Sequence, residues 1–326
     1  CGTTSTSKDI AVNTPPSISS QPSNQTDCVG GPGVTFSVTA SGTSPTYQWQ
    51  YSLNGTTWSN VANNTPANTT YGGGTTATLT VTPNASAAGG TYYYRVVVSV
   101  NSCSSSTSNP ATLTVNINTT ISLSSAVGTD GQTLCANTPL TNITYAIGGS
   151  GTGASITAGA LPAGVTSSYA GGVFTITGTP NVSGTFNYTV STTGLCTTPS
   201  ASGTITVFAV PTGSFTATEN SGTTPNDNII CAGDNVTFSA PPGYNAYTFY
   251  VNGVKVSGPS TNNLYNTTSL NNGDKVTVNV DNTNNCGAIF GPIIISVNQP
   301  STPRLSANKT LICHGDTVDF TGGGGG

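Results

Sequence analysis

Short runs in which apolar and polar residues take turns fill this chain. Val34, Phe36 and Val38 are separated by Thr35 and Ser37, and Tyr47, Trp49 and Tyr51 by Gln48 and Gln50. The alternation returns at Thr78–Val81, Tyr92–Val98 and Leu113–Val115, then at Ile143–Tyr145, Phe174–Ile176 and Phe186–Val190, then at Val236–Phe238, Tyr247–Val251 and Val276–Val280. A period of two makes one face of an extended chain apolar and the other polar, the mark of a half-buried strand. Val34–Ala40 and Ile293–Val297 each read as one strand. Asn54-Gly55 and Asn252-Gly253 are hairpin turn signals, and Asn271-Asn272-Gly273-Asp274 is a further turn. No long window repeats apolar residues at helical spacing, so the chain is expected to be all-β.

A cysteine phrase punctuates the strands. Cys28-Val29-Gly30 precedes Val34–Val38, Cys135-Ala136-Asn137 precedes Ile143–Tyr145, Cys231-Ala232-Gly233-Asp234 precedes Val236–Phe238, and Cys313-His314-Gly315-Asp316 precedes Val318–Phe320. A second phrase, a cysteine followed by a polar turn and a strand, starts at Cys1, Cys103, Cys196 and Cys286. The two phrases divide the chain into the end of one repeat (1–12), three whole repeats (13–116, 117–209, 210–298) and the start of another (299–326). Pro15, Pro16 and Pro22 suit a first, edge strand, where a missing N–H is tolerated. Val115 to Ile121 and Val207 to Phe215 leave little linker between repeats, so successive repeats are expected to form a rod.

The polar residues are mostly Thr, Ser, Asn and Gly. Only 5% of the 326 residues are charged, and the net charge is −4. Lys8, Arg95, Lys255, Lys275, Arg304 and Lys309 are scattered, which excludes the basic patch that nucleic-acid binding requires. No apolar run reaches the ~18 residues of a membrane span. The chain has no Met and is expected to carry neither an initiator nor a signal peptide. Cys1 fits an acylated lipoprotein residue, or a repeat cut through its last hairpin, since Cys1–Ser7 matches Cys103–Ser108. Eight regularly placed cysteines point to disulfides and an oxidising compartment. They lack the close pairing and histidine partners of a zinc site.

Residues 13–116 resemble an immunoglobulin-like domain. Trp49 stands where that family places its strand-C core tryptophan, and Tyr94 where it places the tyrosine-corner residue. Val38 and Val96 occupy the positions at which antibody domains carry core cysteines. In 117–209, the series Leu161-Pro162-Ala163-Gly164-Val165, Phe174–Pro180 and Gly184–Val190 is similar to immunoglobulin-like repeats of bacterial surface proteins. In 210–298, Phe249-Tyr250-Val251-Asn252-Gly253-Val254 and Asn272-Gly273-Asp274-Lys275-Val276 resemble repeats of very large Bacteroidota surface proteins, among them gliding-motility adhesins exported by the type IX system. The resemblance implies tandem immunoglobulin-like sandwiches.

In such a sandwich strands B and F run the same way. A cysteine before B and one after F then lie at opposite ends, roughly 25 Å apart by strand rise, too far for a disulfide, which needs Cα atoms within about 7 Å. Pairing within each repeat is thus the weaker alternative to Cys28–Cys196 and Cys135–Cys286. Cys1, Cys103, Cys231 and Cys313 would then pair with repeats outside this stretch.

Other chemistry is sparse. His314 is the only histidine and Glu219 the only glutamate, leaving little material for a nucleophilic triad or a carboxylate pair. No cofactor is implied. Asp227, Asp234 and Asp316 are candidate calcium ligands or simply turn-capping residues. Asn-X-Ser/Thr sequences at Asn24, Asn54, Asn142, Asn187 and Asn266 follow from composition, and Asp316-Thr317-Val318 resembles a Bacteroidota O-glycosylation pattern at Thr317. Trp58, Tyr92 and Tyr93 are either a sugar-stacking surface or packed against neighbouring strands. The reading is a non-enzymatic extracellular stalk of a large bacterial adhesin or filament. Its partners would be neighbouring repeats, secretion or anchoring machinery and an unidentified surface or glycan. The alternative is a carbohydrate-binding accessory region of a secreted polysaccharide-degrading enzyme.

Overall fold

A computed structural model describes Ile10 and residues 12–221, 224–298, 304–308, 311, 313–314 and 317–323. The Cys1 phrase therefore lies outside the described residues except for Ile10 and Val12, which are exposed and in no strand. Asp316 also lies outside them. No helix occurs among the described residues.

In the first sandwich the strands are β1 (Ser17–Ser20), β2 (Gln25–Cys28), β3 (Val34–Ser37), β4 (Thr39–Ser41), β5 (Thr46–Ser52), β6 (Ser59–Asn60), β7 (Thr69–Gly72), β8 (Thr78–Pro83), β9 (Gly90–Ser99), β10 (Ser106–Thr107) and β11 (Ala111–Asn116). One sheet runs β2-β11-β9-β5-β6, with β10 beside β9. The facing strands are β3-β8-β7 and β1-β4. The pairing of β2 with β11 is parallel and sets Cys28 beside Asn116. Val34–Ala40 is therefore not one strand. It breaks at Val38, because its partner changes there: β3 pairs with β8 and β4 with β1. The N–H of Val38 donates to the Ala77 carbonyl (3.0 Å), so the break leaves no orphan donor.

The second sandwich holds β12 (Thr120–Leu123), β13 (Gly131–Cys135), β14 (Ile143–Gly148), β15 (Gly151–Gly159), β16 (Val165–Ala170), β17 (Val173–Gly178), β18 (Gly184–Gly194) and β19 (Ser200–Phe208), in sheets β12-β14-β17-β16 and β13-β19-β18-β15. In the third are β20 (Thr216–Thr218), β21 (Ile229–Cys231), β22 (Val236–Ser239), β23 (Ala246–Val251), β24 (Val254–Ser260), β25 (Leu264–Thr267), β26 (Lys275–Asp281), β27 (Gly287–Ile294) and β28 (Ser296–Asn298). Its sheets are β20-β22-β25, β24-β23-β26-β27 and the parallel pair β21-β28. Ile293–Val297 likewise divides between two strands: β27 pairs with β26 and β28 with β21, and the fully buried Ile295 between them donates its N–H to the Asp274 carbonyl (3.0 Å). A hairpin of β29 (Arg304–Ala307) and β30 (Phe320–Gly323) follows.

Contacts group the chain into two compact units. One comprises Cys1–Gln132, Pro139–Thr179 and Thr185–Ile205; the other comprises Thr133–Thr138, Pro180–Gly184 and Thr206–Gly326.

The alternating residues build the cores. Trp49 is fully buried, and its Nε1–H donates to the Thr76 carbonyl (2.9 Å). Phe36 stacks on Tyr94 with centroids 5.1 Å apart, and Val38 and Val96 complete the same cluster. Tyr94 is buried, but its hydroxyl meets the Tyr71 hydroxyl on β7, in the facing sheet, at 3.2 Å. The tyrosine-corner position thus carries a bond between sheets, and Tyr71 in turn donates to the Thr65 carbonyl. The second sandwich repeats the device: the Tyr145 and Tyr188 hydroxyls, on facing sheets, lie 3.2 Å apart. Burial raises all four phenols above their usual range, Tyr94 to about 12. The third core is built on Phe238, Tyr247, Phe249 and the valines of β26, and Tyr247 Oη donates to the Pro241 carbonyl (2.9 Å).

Candidate functional site

The cysteine phrases fold into one recurring turn. In each of three copies the residue after the cysteine donates its N–H to the strand alongside: Val29 to Asn116, Ala136 to Phe208, Ala232 to Asn298 (2.9, 2.8 and 3.1 Å). The cysteine carbonyl then accepts from the residue three further on: Gly31, Thr138 or Asp234. The residue between must take a positive φ, and it is Gly30 (74°), Asn137 (66°) or Gly233 (91°), types that tolerate that region. Each of these cysteines ends a strand paired to its neighbour, so main-chain hydrogen bonds fix its position.

The cysteines of the second phrase sit in the loops after β9, β18 and β26. A disulfide joins Cys28 to Cys196, with Cα atoms 5.8 Å apart, and another joins Cys135 to Cys286, at 5.6 Å. Each therefore ties the turn of one sandwich to a loop of the next, and neither closes a repeat on itself. Cys103 and Cys231 are unpaired, Cys103 partly buried and Cys231 exposed. Their settings copy those of the bonded residues. Cys231 has the turn just described. Cys103 Sγ lies 3.8 Å from the Asn13 carbonyl, as Cys196 Sγ lies 3.7 Å from that of Asn116. Cys313 is exposed.

Polar contacts hold each bonded loop. Around the first disulfide, Asp27 accepts the N–H groups of Cys28 (2.8 Å) and Gly33 (3.0 Å), Asn118 Nδ2 donates to the Val29 carbonyl (3.4 Å), and Thr197 Oγ1 to that of Thr119 (3.4 Å). Gly149 (φ 68°) packs so closely on this link that a Cβ would overlap the Asn118 carbonyl oxygen. Around the second, Asn282 is the organiser. Its Oδ1 accepts from Cys286 (3.0 Å) and Asn284 (2.9 Å), while its Nδ2 donates to the Ala209 carbonyl (2.7 Å). Cys286 is fully buried.

The remaining sequence candidates fall elsewhere. Asp227 Oδ1 accepts from the Ile229 N–H, and Asp234 Oδ2 from the Cys231 N–H and the Ser221 hydroxyl. Buried Glu219, which the sequence did not single out for this role, accepts from Ser221 and Asp227. These carboxylates brace the turn at Cys231, and no group of three metal-ligating side chains occurs among the described residues. Thr317 is exposed. The three surface aromatics are engaged: the Arg95 guanidinium covers the Trp58 ring at 4.2 Å, Tyr92 Oη donates to the Ala88 carbonyl, and Tyr93 lies against Gly55. Each of the three thus has a neighbour that it packs on or bonds to.

The fold defines a chain of tandem immunoglobulin-like sandwiches. A family profile described as a domain of unknown function (DUF8696) matches residues 17–117. No curated protein matches the chain. Among solved structures it is similar to an I-band fragment of titin, domains I67–I69 (15% identity, 87% of this chain and 98% of that one, TM-score 0.52). It is also similar to a mutated variant of the same three domains (14%, 88% and 99%, TM-score 0.51). At this identity the likeness concerns the fold alone. Among the described residues no helix is long and apolar enough to cross a membrane.

Proposed function

We propose that this chain is a non-enzymatic, extracellular stalk segment of a large bacterial surface protein, of the gliding-motility adhesin type, whose joints are stapled by disulfides. The observation that carries the reading is the repeated turn whose cysteine, in the first and second sandwiches, is bonded to a loop of the next. Such bonds persist in oxidising surroundings, which supports a reading outside the cell. A staple at a joint restricts bending there, a property useful to a spacer. In this reading Cys231 pairs with the corresponding loop of a following sandwich and Cys103 with the turn of a preceding one, and secretion or anchoring machinery acts on segments beyond this stretch. Immunogold labelling of intact source cells with an antibody to residues 13–298 tests it. Gold standing away from the cell boundary is expected, and gold confined to lysed cells would overturn it.

A further inference from the structure

The order of the bonded cysteines along the chain is 28, 135, 196, 286, and the bonds join first to third and second to fourth. The two covalent loops, with separations of 168 and 151, therefore interlace: neither contains the other, and they share the stretch from Cys135 to Cys196. We infer that interlacing makes the stalk a strain limiter, an inference that rests on the stalk reading above. Tension arriving at Cys28 crosses to Cys196, runs backwards along the chain to Cys135 and crosses to Cys286. That is the shortest covalent route, about 61 residues, or ~210 Å fully extended, whereas the uncrosslinked chain between Cys28 and Cys286 would pay out about 258 residues, ~880 Å. The segments from Cys28 to Cys135 and from Cys196 to Cys286 are longer parallel routes. They stay slack while the shortest route is taut, so overstretch cannot draw them out straight. A following bond at Cys231 would interlace with the Cys135–Cys286 loop in turn and carry the ladder onward.

The same arithmetic gives a signature that ordinary, independent loops cannot imitate. Each bond alone hides its own loop, but the two together hide only about 197 residues, because the shared stretch is traversed backwards. Single-molecule pulling of the whole chain by its ends tests this, with unpaired thiols alkylated and the full extension compared before and after reduction. Reduction should lengthen the intact chain by ~670 Å at ~3.4 Å per residue. It should lengthen a Cys28→Ala, Cys196→Ala double variant by ~510 Å, and a Cys135→Ala, Cys286→Ala double variant by ~570 Å. The limits come from covalent connectivity, so they hold even where a variant sandwich is loosened. An intact-chain gain equal to the sum of the two variant gains, variant gains below ~300 Å, or no gain on reduction would each overturn the limiter. A gain equal to the sum removes the limiter and leaves the extracellular placement untouched. The other two outcomes also remove the stapled joints but not the placement, whereas gold confined to lysed cells removes the stalk and leaves the lengths unchanged.

Discussion

Replacing Trp49 with alanine lowers the stability of the first sandwich by about 3–5 kcal/mol, the range for truncating a large buried aromatic side chain. Trp49 is 0% exposed and sits among Phe36, Leu79, Tyr94 and Val96, so the surrounding strands cannot collapse into the space without losing their ladders. The substitution also strips the Thr76 carbonyl of the Nε1–H that satisfies it. Trp58→Ala is the matched control. Its ring lies at the surface under Arg95, where a cation–π contact contributes about 0.5–1 kcal/mol. The chain has two tryptophans, both in the first sandwich, so denaturant unfolding followed by tryptophan fluorescence reads that sandwich alone. Equal losses for the two variants would contradict the placement of Trp49 at the centre of the core.

The second large effect is alkaline. Burial pushes the Tyr94 phenol up to about 12, from an ordinary value near 10. The raised value means that the folded state keeps a proton which the unfolded state has already released. The contribution is complete below pH 10 and is lost as pH rises toward 12, at about 1.4 kcal/mol per unit, so Tyr94 alone removes about 2–3 kcal/mol across that window. Tyr71, raised in the same direction, steepens the fall. The Tyr145–Tyr188 pair imposes the same sign on the second sandwich. Urea midpoints measured from pH 8 to 12 check this: a plateau to about pH 10 and a steep decline above it are expected. Tyr94→Phe, which cannot ionise, should be less stable at pH 8 and flatter above pH 10. A midpoint independent of pH up to 12 would contradict the buried hydroxyl pairs.

Much of this architecture is legible in the sequence because a strand's alternation is a local property. Val34–Phe36, Tyr47–Tyr51 and Val276–Val280 each state which face is buried without reference to anything distant. The order of the cysteine phrases is legible too, since sandwich topology turns order along the chain into placement at one end or the other. What escapes depends on neighbours. Val38 lies in unbroken apolar alternation and Ile295 in an apolar run, yet the strand changes sheets there, because the point of change is set by where β8 and β26 offer partners. β15, Gly-Thr-Gly-Ala-Ser-Ile-Thr-Ala-Gly, has too few apolar residues to announce a strand and is carried by the β18 ladder. Tyr71 and Tyr94 are 23 positions apart and meet only because the sheets face each other. Asn282 is one of many asparagines, and nothing local distinguishes the one that holds the Cys286 loop.

The interlaced pairing is the point on which the account turns, and peptide mapping of the unreduced protein reads it directly. Basic residues are so rare that trypsin leaves Cys103, Cys135, Cys196 and Cys231 on one peptide between Arg95 and Lys255, so chymotryptic cleavage at the intervening Leu, Phe and Tyr residues is needed as well. The account predicts two linked species, one carrying Cys28 with Cys196 and one carrying Cys135 with Cys286. Recovery of Cys28 linked to Cys103, or of Cys135 linked to Cys196, would contradict it.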